Sequence, residues 1–181
     1  MKLVFMVEER SMKELLDVLL PQILPNGVRP LILSHNGKRD LELSIPKKLN
    51  AWPFPDDKFI IVHDKDSNDC MRLKSNLLSL CQNSRNDCLV RIVCTELESW
   101  YLGDLAAVSL AYDEDFTVLS GKSKFRDPDK LGNAKQELRK LVPAYQPISG
   151  TRKISLHMDA SKNTSPSFNV FVSGIRKMCC T

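Results

Sequence analysis

The sequence lacks the features that several common kinds of site and protein require. Its six cysteines form no C-x-x-C pair and it has only three histidines, so a zinc site is not expected. No apolar run approaches the roughly 20 residues that span a bilayer. The first residues, MKLVFMV, are too short for the apolar core of a signal peptide. We therefore expect reduced thiols, no membrane segment and a cytoplasmic location.

Charge, by contrast, is present in quantity and is unevenly distributed. Residues 1–120 contain 14 Lys and Arg against 18 Asp and Glu, a balance of −4. Residues 121–153 contain 9 against 3, a balance of +6. An acidic body followed by a basic segment fits a cation site beside a surface that holds polyanions. A solvated basic face is the alternative and is the more common explanation of a charge run.

Apolar segments of strand length alternate with helical patterns over the first 112 residues. Strands are predicted at residues 2–8, 29–35, 58–64 and 88–96. A first helix is predicted to begin at the S-x-x-E motif of Ser11 and Glu14. Further helices are predicted over residues 39–50, 69–83 and 97–112. This alternation predicts an α/β protein with a mostly parallel, four-stranded sheet and helices on both faces.

After residue 112 the pattern loosens. A short amphipathic helix is predicted at residues 133–142, and residues 167–178 fit either a final strand or a helix. Residues 143–167 are rich in Pro, Ser, Gly and Asn, which is typical of loops. We therefore divide the chain into a core of residues 1–112 and a basic C-terminal extension, residues 113–181, that packs on it.

Acidic residues follow three of the predicted strands at the point where each strand ends. They are Glu8 and Glu9 after the first strand, Asp64 and Asp66 after the third, and Glu96 and Glu98 after the fourth. Ligands of open α/β sheets bind beyond the carboxyl ends of the strands, so these acids are expected to meet there. Carboxylate oxygens suit Mg²⁺ or Mn²⁺, and a cation would relieve their repulsion. Helix caps and surface ion pairs are the alternative explanation.

The same residues resemble known families. A glutamate that ends strand one, with Asp-x-Asp after strand three, resembles the Toprim domain of topoisomerases, bacterial primases and OLD-type nucleases. That resemblance covers about residues 1–100, although in Toprim proteins glycine usually follows the first glutamate and here Glu9 follows Glu8. Over nearly its whole length the chain is similar to the bacterial family called domain of unknown function 4276. The motifs are FMVEERSM, VHDKDSNDC, ELESWYLGDL and GKSKFRDPDKLGN.

The resemblance implies a Mg²⁺-dependent nuclease that hydrolyses phosphodiesters in DNA or RNA. It implies that Asp64 and Asp66 hold a cation, and that Glu8 completes a second metal site or acts as the general base. Glu96 and Glu98 are candidate ligands by their position alone. The family also implies bacterial defence or repair beside a separate ATPase. The chain has no P-loop of its own, so any ATP-driven step would have to come from another protein.

The basic segment is predicted to hold the nucleic-acid backbone without reading its sequence. The candidate cations are Lys122, Lys124, Arg126, Arg152 and Lys153. Lys124 is also the candidate for a catalytic cation that stabilises the transition state. Gly121 and Gly150 are expected to let backbone amides approach a phosphate.

Two other functions fit the same residues. In the first, the domain binds nucleic acid or a partner protein and its degenerate Toprim site cuts nothing. In the second, the site handles a phosphate ester or nucleotide instead of a polymer. Two aromatic residues also have alternatives: His63 is a general base or a buried strand histidine, and Trp100 stacks on bases or packs in the core. For both residues the second interpretation is favoured.

Overall fold

Four strands and eight α-helices form the protein, which a computed structural model describes over residues 1–180. The strands are β1 (Lys2–Val7), β2 (Arg29–Ser34), β3 (Lys58–Asp64) and β4 (Cys88–Val93). The helices are α1 (Arg10–Ile23), α2 (Lys38–Ala51), α3 (Cys70–Leu80), α4 (Glu98–Leu102), α5 (Leu105–Tyr112), α6 (Ala134–Leu141), α7 (Pro147–Ser155) and α8 (Pro166–Cys179). Among these residues, no helix is long and apolar enough to cross a membrane.

The four strands form one parallel sheet in the order β2-β1-β3-β4. Within the plane of the sheet, β2 pairs with one edge of β1 and β3 pairs with the other edge. The strand order therefore reverses between β1 and β3, which makes a topological switch point where the ends of these two strands diverge. The predicted fold class, an α/β protein with a four-stranded parallel sheet, is confirmed.

Alternate residues of the strands pack on opposite faces of the sheet, as the pleat requires. Leu3, Phe5 and Val7 of β1 belong to an apolar cluster that includes side chains of α1 and of α4 to α8. Val4 and Met6 point into a second cluster with side chains of α2 and α3. Because both faces of β1 are fully buried over residues 3–7, this part of the strand is a continuous apolar run, as the helix-covered sheet predicts.

The single helix predicted over residues 97–112 is wrong, because the structure has α4 and α5 separated at Gly103 and Asp104. A Cβ atom at Gly103 would lie 2.9 Å from the backbone nitrogen of Ser165, so the chain is in close contact there. Gly103 caps the end of α4, and Asp104 caps the start of α5, since its side chain accepts a hydrogen bond from the Ala107 amide. The break therefore depends on a segment about 60 residues further along the chain.

The segment with loop-like composition, residues 143–167, contains the helix α7. Pro147 occupies its first turn, where a missing amide hydrogen costs little. A Cβ atom at Gly150 would clash with the ring of Tyr145, and the Gly150 amide donates to the Gln146 carbonyl. Gly150 is therefore a packing position, which corrects the expectation that its amide approaches a phosphate. The final segment, left open as strand or helix, is the helix α8.

One apolar cluster extends from β1 to α8 and so joins residues on both sides of position 112. Trp100 of α4 is fully buried there, with ring centroids 5.2 Å from Phe168 and 4.9 Å from Phe171 of α8. Trp100 is thus a core residue, as favoured from the sequence. The division into residues 1–112 and 113–181 stays a prediction, and its last residue, Thr181, lies outside the described residues.

Candidate active site

Three of the predicted site residues lie at the carboxyl ends of β1 and β3, the neighbouring strands at the switch point. Glu8 directly follows β1, Asp64 is the last residue of β3, and Asp66 lies two positions further. Glu8 and Asp64 line the same small cleft, whose free volume is about 10 Å³. The parallel pairing of the two strands therefore brings together residues that are 56 positions or more apart in the sequence.

The carboxylates of this edge repel one another. Burial raises the pKa of Asp64 well above its usual range, and the charges of Glu8, Glu98 and Asp66 raise it further. Burial also raises the pKa of Glu8; His63 lowers it and Asp66 raises it again. Acids whose protonation is perturbed by both burial and like charges are typical of sites that act on a ligand or bind a cation.

Glu8 is a partly buried acid with an unpaired oxygen. Its side chain is 15% exposed, and its Oε2 atom is buried without a hydrogen-bond donor. The ring nitrogen Nδ1 of His63 lies 3.5 Å from that oxygen but donates to the Asp64 carbonyl at 2.6 Å. His63 is 1% exposed, and its other nitrogen lies 3.4 Å from Glu42. His63 is therefore buried in the strand and bonded to the main chain, as favoured from the sequence.

Lys38, a residue that sequence reasoning missed, supplies positive charge to this edge. Its Nζ atom donates a hydrogen bond of 3.1 Å to Oδ2 of Asp66. This contact is the main cause of the raised pKa of Lys38, and Glu8 and Glu42 add to it. A signal for Lys38 existed in the sequence: it closely follows the second predicted strand, and parallel strands end at the same edge.

Glu96 and Glu98 each have protein partners. The Glu96 carboxylate accepts the amide of Lys135 at 2.9 Å, so it caps the start of α6. Glu98 is 5% exposed, accepts the Tyr145 hydroxyl at 2.9 Å and lies 3.9 Å from the Lys135 ammonium. Burial raises the pKa of Glu98, and Lys135 lowers it. The assignment of both residues as metal ligands stays a prediction. Of the two, Glu98 is the one whose charge raises the pKa of Asp64.

The donor set fits a divalent cation, but the side chains do not surround one as they stand. Carboxylate oxygens are the ligands that Mg²⁺ prefers, and Oε2 of Glu8 lacks a partner. The cleft between Glu8 and Asp64 has about the volume of one water molecule. Within residues 1–180, however, no three His, Cys, Asp or Glu side chains are grouped closely enough to hold a metal ion. Binding would therefore require the carboxylates to turn toward a shared cation.

The predicted nucleic-acid contacts are not brought together as one free surface. Lys124 donates to Glu137, which also accepts from Lys140. Arg152 binds both oxygens of Glu14 at 2.7 and 2.8 Å. Lys153 lies over the ring of Tyr112, 5.5 Å from its centroid. Lys124 and Arg152 are thus engaged within the protein.

The other predicted cations, Lys122 and Arg126, are exposed. Phe125 between them is buried and anchors their turn. A larger cavity, of about 870 Å³, lies along α8 beside Arg176 and Lys177 and contains none of the site carboxylates. The predicted roles of these cations in binding and catalysis stay predictions.

Comparisons with known proteins agree with the fold. A family model described as domain of unknown function (DUF4276) matches residues 7–176. The fold is similar to that of the C-terminal region of the OLD protein from Xanthomonas campestris pv. campestris. The TM-score is 0.57 at 13% sequence identity, over 98% of this chain and 95% of that one. A comparison with curated proteins found no match.

Proposed function

Because this chain belongs to the DUF4276 family and has Glu8, Asp64 and Asp66 on one edge of its sheet, we propose that it is a Mg²⁺- or Mn²⁺-dependent nuclease. The observation that carries the proposal is the convergence of Glu8 and Asp64 on one small cleft at the ends of two paired parallel strands, where their like charges repel each other. A divalent cation would relieve that repulsion. Resemblance to Toprim domains and the OLD-like fold support a phosphodiester of DNA or RNA as the substrate.

Each carboxylate has a stated task in this proposal. Asp64 and Asp66 hold the cation, with Glu96 and Glu98 as further candidate ligands. Glu8 accepts the proton of the attacking water, a role suited to an acid whose pKa is raised by burial. A bound cation would polarise the scissile phosphate and stabilise the charge that develops on it. The hydrogen bond from the His63 ring to the Asp64 carbonyl holds the end of β3 in place.

The nucleic-acid backbone is proposed to contact the exposed cations Lys122, Arg126 and Lys153. Lys124 and Arg152 join them only if they leave Glu137 and Glu14, their partners within the protein. Such contacts are electrostatic and do not depend on sequence. A separate ATPase partner, cytoplasmic location and a role in phage defence belong to the same proposal, on family resemblance.

Cleavage assays on the double variant Asp64→Asn/Asp66→Asn test the proposal. The substrates are single- and double-stranded DNA and RNA, with Mg²⁺, with Mn²⁺ and with a chelator. We expect metal-dependent cleavage to fall on the order of a hundredfold or more, since the substitution removes the charge that holds the cation. Asp69→Asn is the matched control, because Asp69 lies in the same loop but caps α3, and asparagine caps equally well. Equal activity in wild type and double variant would end the catalytic claim.

A non-catalytic binding module is the second candidate function. It is favoured by the absence, within residues 1–180, of three grouped metal ligands and by the ion pair of Lys38 with Asp66. In that case the wild type binds oligonucleotides, cuts none of them in either metal, and binds as well after the double substitution. Binding of short phosphate esters but not of oligonucleotides would instead indicate a site for small substrates.

A further inference from the structure

Main-chain hydrogen bonds hold the segment that carries Lys38 against the candidate site. The amides of His35 and Gly37 donate to the carbonyls of Val7 and Glu8, at 3.1 and 3.0 Å. Gly37 has φ +92°, a conformation that favours glycine, and α2 begins at the next residue. Lys38 therefore extends from a loop that is bonded to the end of β1, the strand that carries Glu8.

The acid that Lys38 contacts is also held by its backbone. Asp66 has φ +49°, in the left-handed region, and its amide donates to the Thr95 carbonyl at 2.8 Å. The preceding amide, that of Lys65, donates to the Val93 carbonyl at 2.8 Å. The 3.1 Å contact from Lys38 Nζ to Asp66 Oδ2 thus joins two segments whose main chains are each held by hydrogen bonds.

We propose that Lys38 is an internal cation that competes with the divalent metal ion for the carboxylate of Asp66. This inference deepens the proposed function and rests on it. The ammonium group occupies an oxygen that a metal would use. Lys38 and Asp66 are 55% and 38% exposed, and an ion pair this open is weak. A divalent ion, with twice the charge, displaces the lysine instead of being excluded by it.

Titration of the full chain with Mn²⁺ alone tests the competition, with free Mn²⁺ measured by electron paramagnetic resonance and heat by calorimetry. Removing the competing ammonium in Lys38→Met is expected to tighten Mn²⁺ binding about three- to tenfold. Lys38→Arg keeps the charge and is expected to stay within about twofold of the wild type. Arg39→Met is the matched control, since Arg39 is the next exposed cation of the same helix; it should change binding less than about twofold.

The outcomes separate this inference from the proposed function. If the wild type binds Mn²⁺, Asp66→Asn weakens that binding, and Lys38→Met leaves it unchanged or weaker, the competition is wrong and the metal site stands. If neither the wild type nor Lys38→Met binds Mn²⁺, both proposals fall. Binding by Lys38→Met alone would show that the lysine excludes the ion in the wild type, which supports the competition but contradicts the proposed metal-dependent activity of the wild type. Lys38→Gln and thermal unfolding of every variant show whether a change in binding reflects loss of the fold.

Discussion

At the scale of the residue, Asp64 is a partly buried acid that the fold holds at an energetic cost. Its pKa in the folded protein is raised, by burial first and then by the charge of Glu8. The folded state therefore binds the Asp64 proton more tightly than the unfolded state does. That contribution to stability is complete below the unfolded pKa of about 4 and is lost as the pH rises through the folded value. Sites that hold charge for a ligand commonly weaken the fold in this way.

Replacing Asp64 by asparagine is therefore expected to stabilise the metal-free protein at neutral pH. The free energy of unfolding should rise on the order of 1 kcal/mol at pH 7, because asparagine carries no charge to bury or repel. At pH 4 the gain should be much smaller, since Asp64 is then protonated. Urea unfolding at both pH values measures the difference, with the exposed Asp56→Asn as control. A lower free energy of unfolding for Asp64→Asn at pH 7 would contradict the argument.

At the scale of the element, the ion pair of Glu14 with Arg152 joins α1 to α7. Two hydrogen bonds from Arg152, with a contribution from Arg10, lower the pKa of Glu14 to about 2. Because the folded pKa is depressed, the stabilisation is present above the unfolded value near 4.3 and is lost as the pH falls toward 2. The pair thus engages Arg152 within the protein, and the predicted contact of Arg152 with nucleic acid stays a prediction.

A double-mutant cycle with Glu14→Gln and Arg152→Gln measures this link between the helices. We expect a small but measurable coupling free energy at pH 7, modest because Arg152 is 54% exposed and solvent screens the pair. The coupling should shrink as the pH is lowered from about 4.5 toward 2 and should also shrink in high salt. Lys13 and Asp17, a neighbouring pair within α1, provide a control cycle that does not join two helices. Coupling that is zero at pH 7, or independent of pH, would rule out the pair as a link.

Elements are also where prediction from the sequence succeeded most and failed most clearly. The four strands were predictable because both faces of the sheet are covered, which requires unbroken apolar runs such as that of β3. The break between α4 and α5 was not, because it depends on Ser165 packing against Gly103. Glu8, Asp64 and Asp66 could be placed on one edge from strand order alone. Strand order also places Lys38 at that edge, but its contact with Asp66 could not be predicted, since the contact depends on the conformation of the lysine side chain and on the left-handed backbone of Asp66.

At the scale of the whole molecule, the sheet depends on helices that follow residue 112. The face of the sheet that contacts α1 is completed by α6, α7 and α8. Tyr101 shows the same dependence, since it is fully buried and its hydroxyl pairs with Thr151 of α7. Glu98, beside the candidate site, takes its hydrogen bond from Tyr145. The residues after position 112 therefore support both the core and the acids at the sheet edge.

A fragment of residues 1–112 is consequently expected to lack a fixed tertiary structure, while the full chain unfolds in one cooperative transition. Removing α8 alone would expose Trp100, which packs on Phe168 and Phe171. Truncating a single large aromatic side chain in a core already costs about 3–5 kcal/mol, which is a large part of the free energy of unfolding of a domain. Near-ultraviolet circular dichroism and urea unfolding test the fragment. In the full chain, Phe171→Ala should cost about 3 kcal/mol or more. Val170→Ala, at a neighbouring position that is 56% exposed, should stay within about 0.5 kcal/mol. Cooperative unfolding of the fragment, or equal costs for the two substitutions, would show that the first 112 residues form an independent core.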